Sequence, residues 1–182
     1  MDLLLKGEKM KTIFQAMAKY NSSVDQSIID ILSPLSKEQI MEKTKAFFPS
    51  IYDNLYHIFF SDLFWLKRFK DGFTESKSLS GSNLLALDGK SLRKEIEANY
   101  TKLLEYRKQT DQIILQFIDE LTENQLTSVF KFKNFKGEEM ESPLWKILLQ
   151  WFNHQTHHRG GISVLLDMLG VTNDYSSMLG RI

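Results

Sequence analysis

Apolar side chains return at intervals of three and four along most of this chain, and such runs mark helices. Ile13, Met17, Tyr20, Val24, Ile28 and Ile31 predict a first helix over about 8–33. Ser33-Pro34 closes it, because the residue before a proline avoids helical backbone. Ser36 with Gln39 three residues on has the form of a capped turn. Phe47-Phe48-Pro49-Ser50 opens a second helix over about 50–69, with Leu55, Ile58, Phe59, Leu63, Leu66 and Phe69 on one broad surface. A second face of that helix is mixed, carrying Asp53, Asn54, His57, Ser61 and Phe64. Residues 71–90, rich in serine and glycine, read as a crossover loop. A third helix is predicted over about 91–120 from Leu92, Ile96, Leu103, Leu104, Ile113, Ile114, Phe117, Ile118 and Leu121. The charges along it, from Lys94 and Glu95 to Arg107 and Lys108, read as a solvated face.

The period then changes. Between Leu126 and Met140, Phe130 and Phe132 alternate with Val129, Lys131 and Lys133, and Asn134-Phe135-Lys136-Gly137 turns the chain, which predicts a hairpin. Such a hairpin must lie on something else, and its two phenylalanines suit one end of a bundle. Ser142 as cap and Pro143 at the first helical position open a last helix. The expected fold is therefore all-α: a four-helix bundle with a long crossover loop and a small β-hairpin before the last helix, in one domain over 1–182.

Composition narrows the functional classes. The 182 residues are 42% hydrophobic, enough for a sizeable core. No run reaches the roughly twenty apolar residues of a membrane span. The segment from Met1 to Lys6 is too short and too soon charged for a signal peptide, so a cytoplasmic location is expected. There is no cysteine, so disulfides, thiolate nucleophiles and cysteine-bound zinc are excluded. The 23 basic and 23 acidic residues cancel, which leaves no broad field to draw nucleic acid.

Candidate chemistry gathers in Asn153-His154-Gln155-Thr156-His157-His158-Arg159-Gly160-Gly161, which holds three of the chain's four histidines. His154 and His158 are four apart and share a helix face with Ile147, Trp151, Gly161 and Leu165. Two inward imidazoles one turn apart can share a transition metal, or can be two core histidines each with one hydrogen bond. His157 is rotated about 100° from His158 and is the least suited as a ligand. His57, in the middle of the second helix, either bonds to a carbonyl or completes a three-histidine site. Asp53, Asn54 and Asp62 are near enough in sequence to orient an imidazole, and Asp62 can equally pair with Arg68 or Arg159. Tyr20 and Asn21 are polar enough to face a cavity. Two glycines inside a helix cost about 1 kcal/mol each relative to alanine, which points to a close approach or to a local kink.

The histidine segment, Leu55-Tyr56-His57-Ile58 with Asp62, Trp65 and Leu66, Tyr20-Asn21 and the Phe47-Phe48-x-Ser50-Ile51 approach together resemble the DinB-like superfamily over nearly the whole chain. The resemblance implies a four-helix bundle holding a divalent metal, usually zinc or nickel, on His57, His154 and His158. It implies a homodimer and, from relatives with known activity, a thiol-dependent transferase or isomerase using a low-molecular-weight thiol; since three imidazoles leave a coordination position open for water, substrate or an external thiol, the enzyme expected is a metal-dependent transferase or hydrolase acting on a small molecule. It does not imply nucleic-acid binding. Relatives usually carry glutamine after the Arg-Gly pair, where this chain has Gly161. Three readings are therefore carried forward: a metal-dependent enzyme, a non-catalytic metal- or ligand-binding stress-response protein, and an interaction module whose histidines bind nothing.

Overall fold

The computed structural model describes residues 9–182. The N-terminal segment Met1–Lys6, which bears on the signal-peptide expectation, lies outside them. Four long helices form the bundle: α1 (Lys9–Leu32), α3 (Ile51–Gly72), α7 (Thr101–Glu120) and α9 (Leu144–Met168). They pack in a ring, α1 against α7, α7 against α3, α3 against α9 and α9 against α1. Val24, Ile28, Phe59, Leu66, Phe117, Trp151 and Phe152 meet in its buried centre. No helix among the described residues is long and apolar enough to cross a membrane.

Local chemistry sets the helix starts that matter for the site. The short α2 (Lys37–Met41) begins in a capping box. Ser36 Oγ accepts from the Gln39 amide at 3.3 Å, and Gln39 Oε1 accepts from the Ser36 amide at 2.9 Å. Ser50 caps α3 by accepting from the Asp53 amide at 3.0 Å. Asp53 places an acidic group in the first turn, where the helix dipole favours it.

The serine-rich crossover is more ordered than a loop. It forms two single turns, α4 (Lys77–Ser80) and α5 (Asn83–Ala86), each started by a serine. Ser76 accepts from the Leu79 amide and Ser82 from the Leu85 amide, at 3.3 and 3.2 Å. The turns exist to bury Leu79, Leu84 and Leu85. The predicted third helix is also two, α6 (Gly89–Ala98) and α7. Asn99 is extended, and its Oδ1 accepts from the Thr101 amide at 3.1 Å and its hydroxyl at 2.9 Å, ending one helix and starting the next.

The hairpin, preceded by α8 (Glu123–Thr127), consists of β1 (Val129–Lys133) and β2 (Glu139–Pro143), paired antiparallel with Phe130 opposite Ser142. Asn134 Oδ1 accepts from the Lys136 and Glu138 amides, and Gly137 supplies the positive φ of the turn, 81°. Ser142 is thus a strand residue rather than a helix cap, and α9 starts at Leu144 without a side-chain cap. Phe130 lies against Phe69 and Phe73 with ring centroids 5.4 Å apart, and Phe132 against Trp65 at 5.2 Å. The hairpin so closes over the C-terminal end of α3.

A further expectation fails at Arg107. Arg107 is not on a solvated face: it is 1% exposed. It binds Asp62, whose expected partner was Arg68 or Arg159, together with Asp111 at 2.6 Å and Asp25 at 3.5 Å. Burial opposes its charge, but Asp111, Asp62 and Asp25 outweigh burial and raise its pKa above the ordinary arginine value. Arg159 instead faces Asp25 at 3.7 Å and donates to Asn21. Arg68 donates to the Lys133 carbonyl at 2.6 Å and stacks on Phe64.

Candidate metal centre

His57 stands in the middle of α3, and His154 and His158 stand one turn apart in the middle of α9. Because α3 and α9 are packed neighbours, all three rings turn toward one point. His57 Nε2 lies 3.0 Å from His154 Nε2, and His158 Nε2 lies 3.1 Å from the same atom. Among the described residues, this is the one group of three or more histidine, aspartate or glutamate side chains close enough to share an ion. His157 is exposed and does not belong to the group; its ring centroid lies 5.0 Å from that of His158.

The arrangement cannot be satisfied by hydrogen bonds alone. An imidazole nitrogen has a single in-plane position, filled by a proton or a lone pair. His154 Nε2 therefore serves one of its two neighbours and not the other. A cation at the convergence point accepts all three lone pairs. Ligand distances of about 2.0–2.1 Å place such nitrogens roughly 3.0–3.4 Å apart, close to the separations found. The geometry is compatible with metal binding.

Charge state agrees. Burial, followed by the neighbouring His154, lowers the pKa of His57. Burial, and more weakly His157, lowers that of His154, while Asp62 opposes the shift. For His158, burial and then the imidazoles of His154 and His57 push the value down to about 3. At neutral pH the rings are uncharged, which is the form that donates to a metal.

One of the three candidate orienting groups reaches a histidine. Asn54, 3% exposed, donates through Nδ2 to the carbonyls of Phe48 at 3.3 Å and Ser50 at 3.0 Å. Its oxygen must then face the other way, and it stands 3.4 Å from His158 Nδ1. A proton on Nδ1 satisfies that contact and leaves Nε2 as a lone pair. Gly161 makes room for this: a Cβ there would sit 3.1 Å from Asn54 Oδ1. The close approach expected at the glycine pair is thus real at Gly161, whereas a Cβ at Gly160 would meet nothing within 4 Å among the described residues.

The other two candidates, both carboxylates, are committed elsewhere. Asp53 accepts from Ser50 Oγ and Lys43 Nζ, both at 2.5 Å. Asp62 holds Arg107 with one oxygen and accepts from Trp151 Nε1 at 2.6 Å and Gln155 Nε2 at 2.9 Å with the other. Gln155 in turn accepts from Asn21, so Asn21 is buried in the polar network, and Tyr20 beside it donates to the Tyr175 carbonyl.

Sequence reasoning did not assign Phe48 a place at the site. Its ring centroid is 4.4 Å from that of His57 and 4.8 Å from that of His158, so it walls the histidine cluster with apolar surface. Pro49 and the Ser50 cap, which bend the chain just before α3, were the available signal.

A four-helix bundle with three imidazoles converging between facing helices defines a class of protein, that of helical bundles with an internal histidine cluster compatible with metal binding. The chain belongs to the DinB family, whose profile matches residues 9–178. It is similar to Protein DinB of Bacillus subtilis (strain 168), at 29% identity over 154 residues, covering 84% of this chain and 83% of that protein. No solved structure matches it.

Proposed function

We propose that His57, His154 and His158 hold one divalent metal ion, zinc or nickel, and that the protein is a metal-dependent enzyme acting on a small molecule, of the thiol-dependent transferase or hydrolase type. The observation that carries the reading is the convergence of three Nε2 atoms on one point, with His154 in reach of both partners. Three protein ligands leave a coordination position for water, substrate or an external thiol, and a metal so held lowers the pKa of what binds there. The protein's own part is to keep the imidazoles neutral by burial, to fix the tautomer of His158 through Asn54, and to shield the site with Phe48. Lacking cysteine, it takes any thiol from solution. A cytoplasmic location and a homodimeric state belong to the same proposal, and the balanced charge gives nucleic acid no part in it.

A second reading has its own support. Asp53 and Asp62, the carboxylates nearest His57 in sequence, are bound to Lys43 and Arg107, so neither is free as a general base. This favours a protein that binds a metal or a ligand in a stress response without turnover.

Elemental analysis tests the ligand set. His57→Ala and His158→Ala should each lose stoichiometric metal, and His157→Ala should retain it; metal kept by the His57 variant would discard the set. Cobalt-substituted protein separates the two readings. A visible spectrum that responds to added thiols or small anions supports the open site, and one unchanged across a broad panel supports a closed, non-catalytic one.

A further inference from the structure

The loop over 42–50, between α2 and α3, is tied down at both ends. The Thr44 amide and hydroxyl both donate to the Pro49 carbonyl, at 2.8 and 2.9 Å, and the hydroxyl oxygen accepts from the Ala46 amide at 3.3 Å. Lys43 pairs with Asp53 on α3 at 2.5 Å, and the Phe48 carbonyl accepts from Asn54 at 3.3 Å. The residues over 45–48 are thus presented by a closed turn, and two of them are phenylalanines. Phe48 is half-buried against His57 and His158. Phe47 is 92% exposed, the most exposed large apolar side chain among the described residues.

A single apolar side chain on a surface needs no explanation, but Phe47 does not stand alone. Its ring meets that of Phe48 edge to face, with centroids 5.0 Å apart, and Phe48 meets His158 edge to face at 4.8 Å. A line of rings therefore runs from solvent to the imidazoles. Leu179, 89% exposed, makes the contrast: it lies on the C-terminal tail beside α1, where Arg181 donates to Ser23 and Ser27. Small-molecule sites combine apolar and aromatic walls with a few polar groups that fix the ligand. The imidazoles supply the polar part here, and the two phenylalanines the apolar part. A ring left in water gains free energy when an apolar group covers it, and an aromatic group adds a favoured ring geometry. The covering group must belong to a molecule whose other end is at the histidines, because that is where the line of rings leads.

We propose that Phe47 is the specificity-determining residue of the site: it packs on an apolar, preferentially aromatic, group of a small substrate whose other end carries the metal-binding atom. The proposal rests on the functional reading above, since it takes the histidines to hold a metal with an open position.

Two thiols that differ by one ring, 2-phenylethanethiol and ethanethiol, test it when titrated into the cobalt-loaded full chain, with the visible spectrum giving each dissociation constant. The parent protein should bind the phenyl compound about tenfold more tightly or better, the equivalent of about 1.4 kcal/mol. Phe47→Ser should bring the two thiols to within about twofold of each other. Its exposure means that the variant should fold and load cobalt as the parent does, which elemental analysis checks. Phe47→Trp should keep the preference, and so should Leu179→Ser. A parent that binds both thiols alike, or a preference that survives Phe47→Ser undiminished, would overturn the proposal and leave the open metal site standing. A preference lost as fully in Leu179→Ser would mark a general effect of surface apolarity and overturn it as well. A spectrum that answers to neither thiol would overturn the functional reading itself, and this proposal with it.

Discussion

Asn54 shows how much of the centre depends on a residue that binds no metal in the proposal. Its amide is locked by two carbonyls, so its oxygen is presented to His158 Nδ1 without choice. Such outer partners are commonly worth 10–100-fold in metal affinity. We predict that Asn54→Ala lowers affinity by about that factor while leaving the bundle folded, read by competition with a chromophoric chelator. Gly161→Ala should act on the same contact in milder form. Alanine favours the helix, yet its Cβ at 3.1 Å pushes on the Asn54 oxygen, so metal affinity should fall even where thermal stability does not. Unchanged affinity in both variants would remove Asn54 from the site. At this scale the sequence was partly legible. The four-residue spacing put His154 and His158 on one face, and the rotation of His157 set it aside. It offered Asp53, Asn54 and Asp62 equally, because which of three polar groups reaches a ring depends on contacts with Phe48, Lys43 and Arg107 that no local pattern records.

At the scale of elements, helix period and capping residues were informative where the deciding interactions were local. Ser36 with Gln39 and Ser50 with Asp53 are caps because their partners lie three residues away. The same locality misled elsewhere. Serines in residues 71–90 read as loop composition, though Ser76 and Ser82 cap single turns that bury three leucines. Apolar spacing ran across Asn99 without interruption, since the break comes from a side chain competing for backbone amides rather than from a loss of periodicity. The hairpin's alternation and its two phenylalanines announced both the hairpin and its place at one end of the bundle, but not the glycine on which it sits. That glycine is Gly72. A Cβ there would stand 2.3 Å from the Phe130 ring, which lies flat on Phe73. We predict that Gly72→Ala destabilises the protein by roughly 1–3 kcal/mol, the usual range for overpacking, although alanine is the better helix former. Urea denaturation reads this, and Phe130→Leu added to Gly72→Ala should recover part of the loss. A neutral or stabilising Gly72→Ala would show that the hairpin shifts away at little cost.

Over the whole molecule, the question is what holds α3 and α9 in the register that makes three histidines meet. Apolar packing tolerates sliding by part of a turn; a buried charged knot does not. Arg107 on α7 binds Asp62 on α3 and Asp25 on α1, and Asp62 in turn receives Trp151 and Gln155 from α9, so four helices meet through two carboxylates and one guanidinium. Asp62 stands five residues from His57, and Gln155 is next to His154. This is also why the knot was illegible in sequence: Arg107 sits in a run of surface charges, and two of its carboxylates lie on other helices. Removing one member of such a group leaves buried charge uncompensated, at about 3–5 kcal/mol, a large part of an ordinary domain's stability. We predict that loss for Arg107→Met in urea denaturation, together with weaker metal binding in the fraction that remains folded. Asp111→Asn should cost far less. Burial opposes the charge of the Asp111 carboxylate and raises its pKa even against Arg107, and Asp62 and Asp25 remain to face the guanidinium once Asp111 is neutralised. A variant at Arg107 that lost stability yet bound metal as tightly as the parent would mean that apolar packing alone sets the register, and the knot would then be a source of stability without a part in building the site.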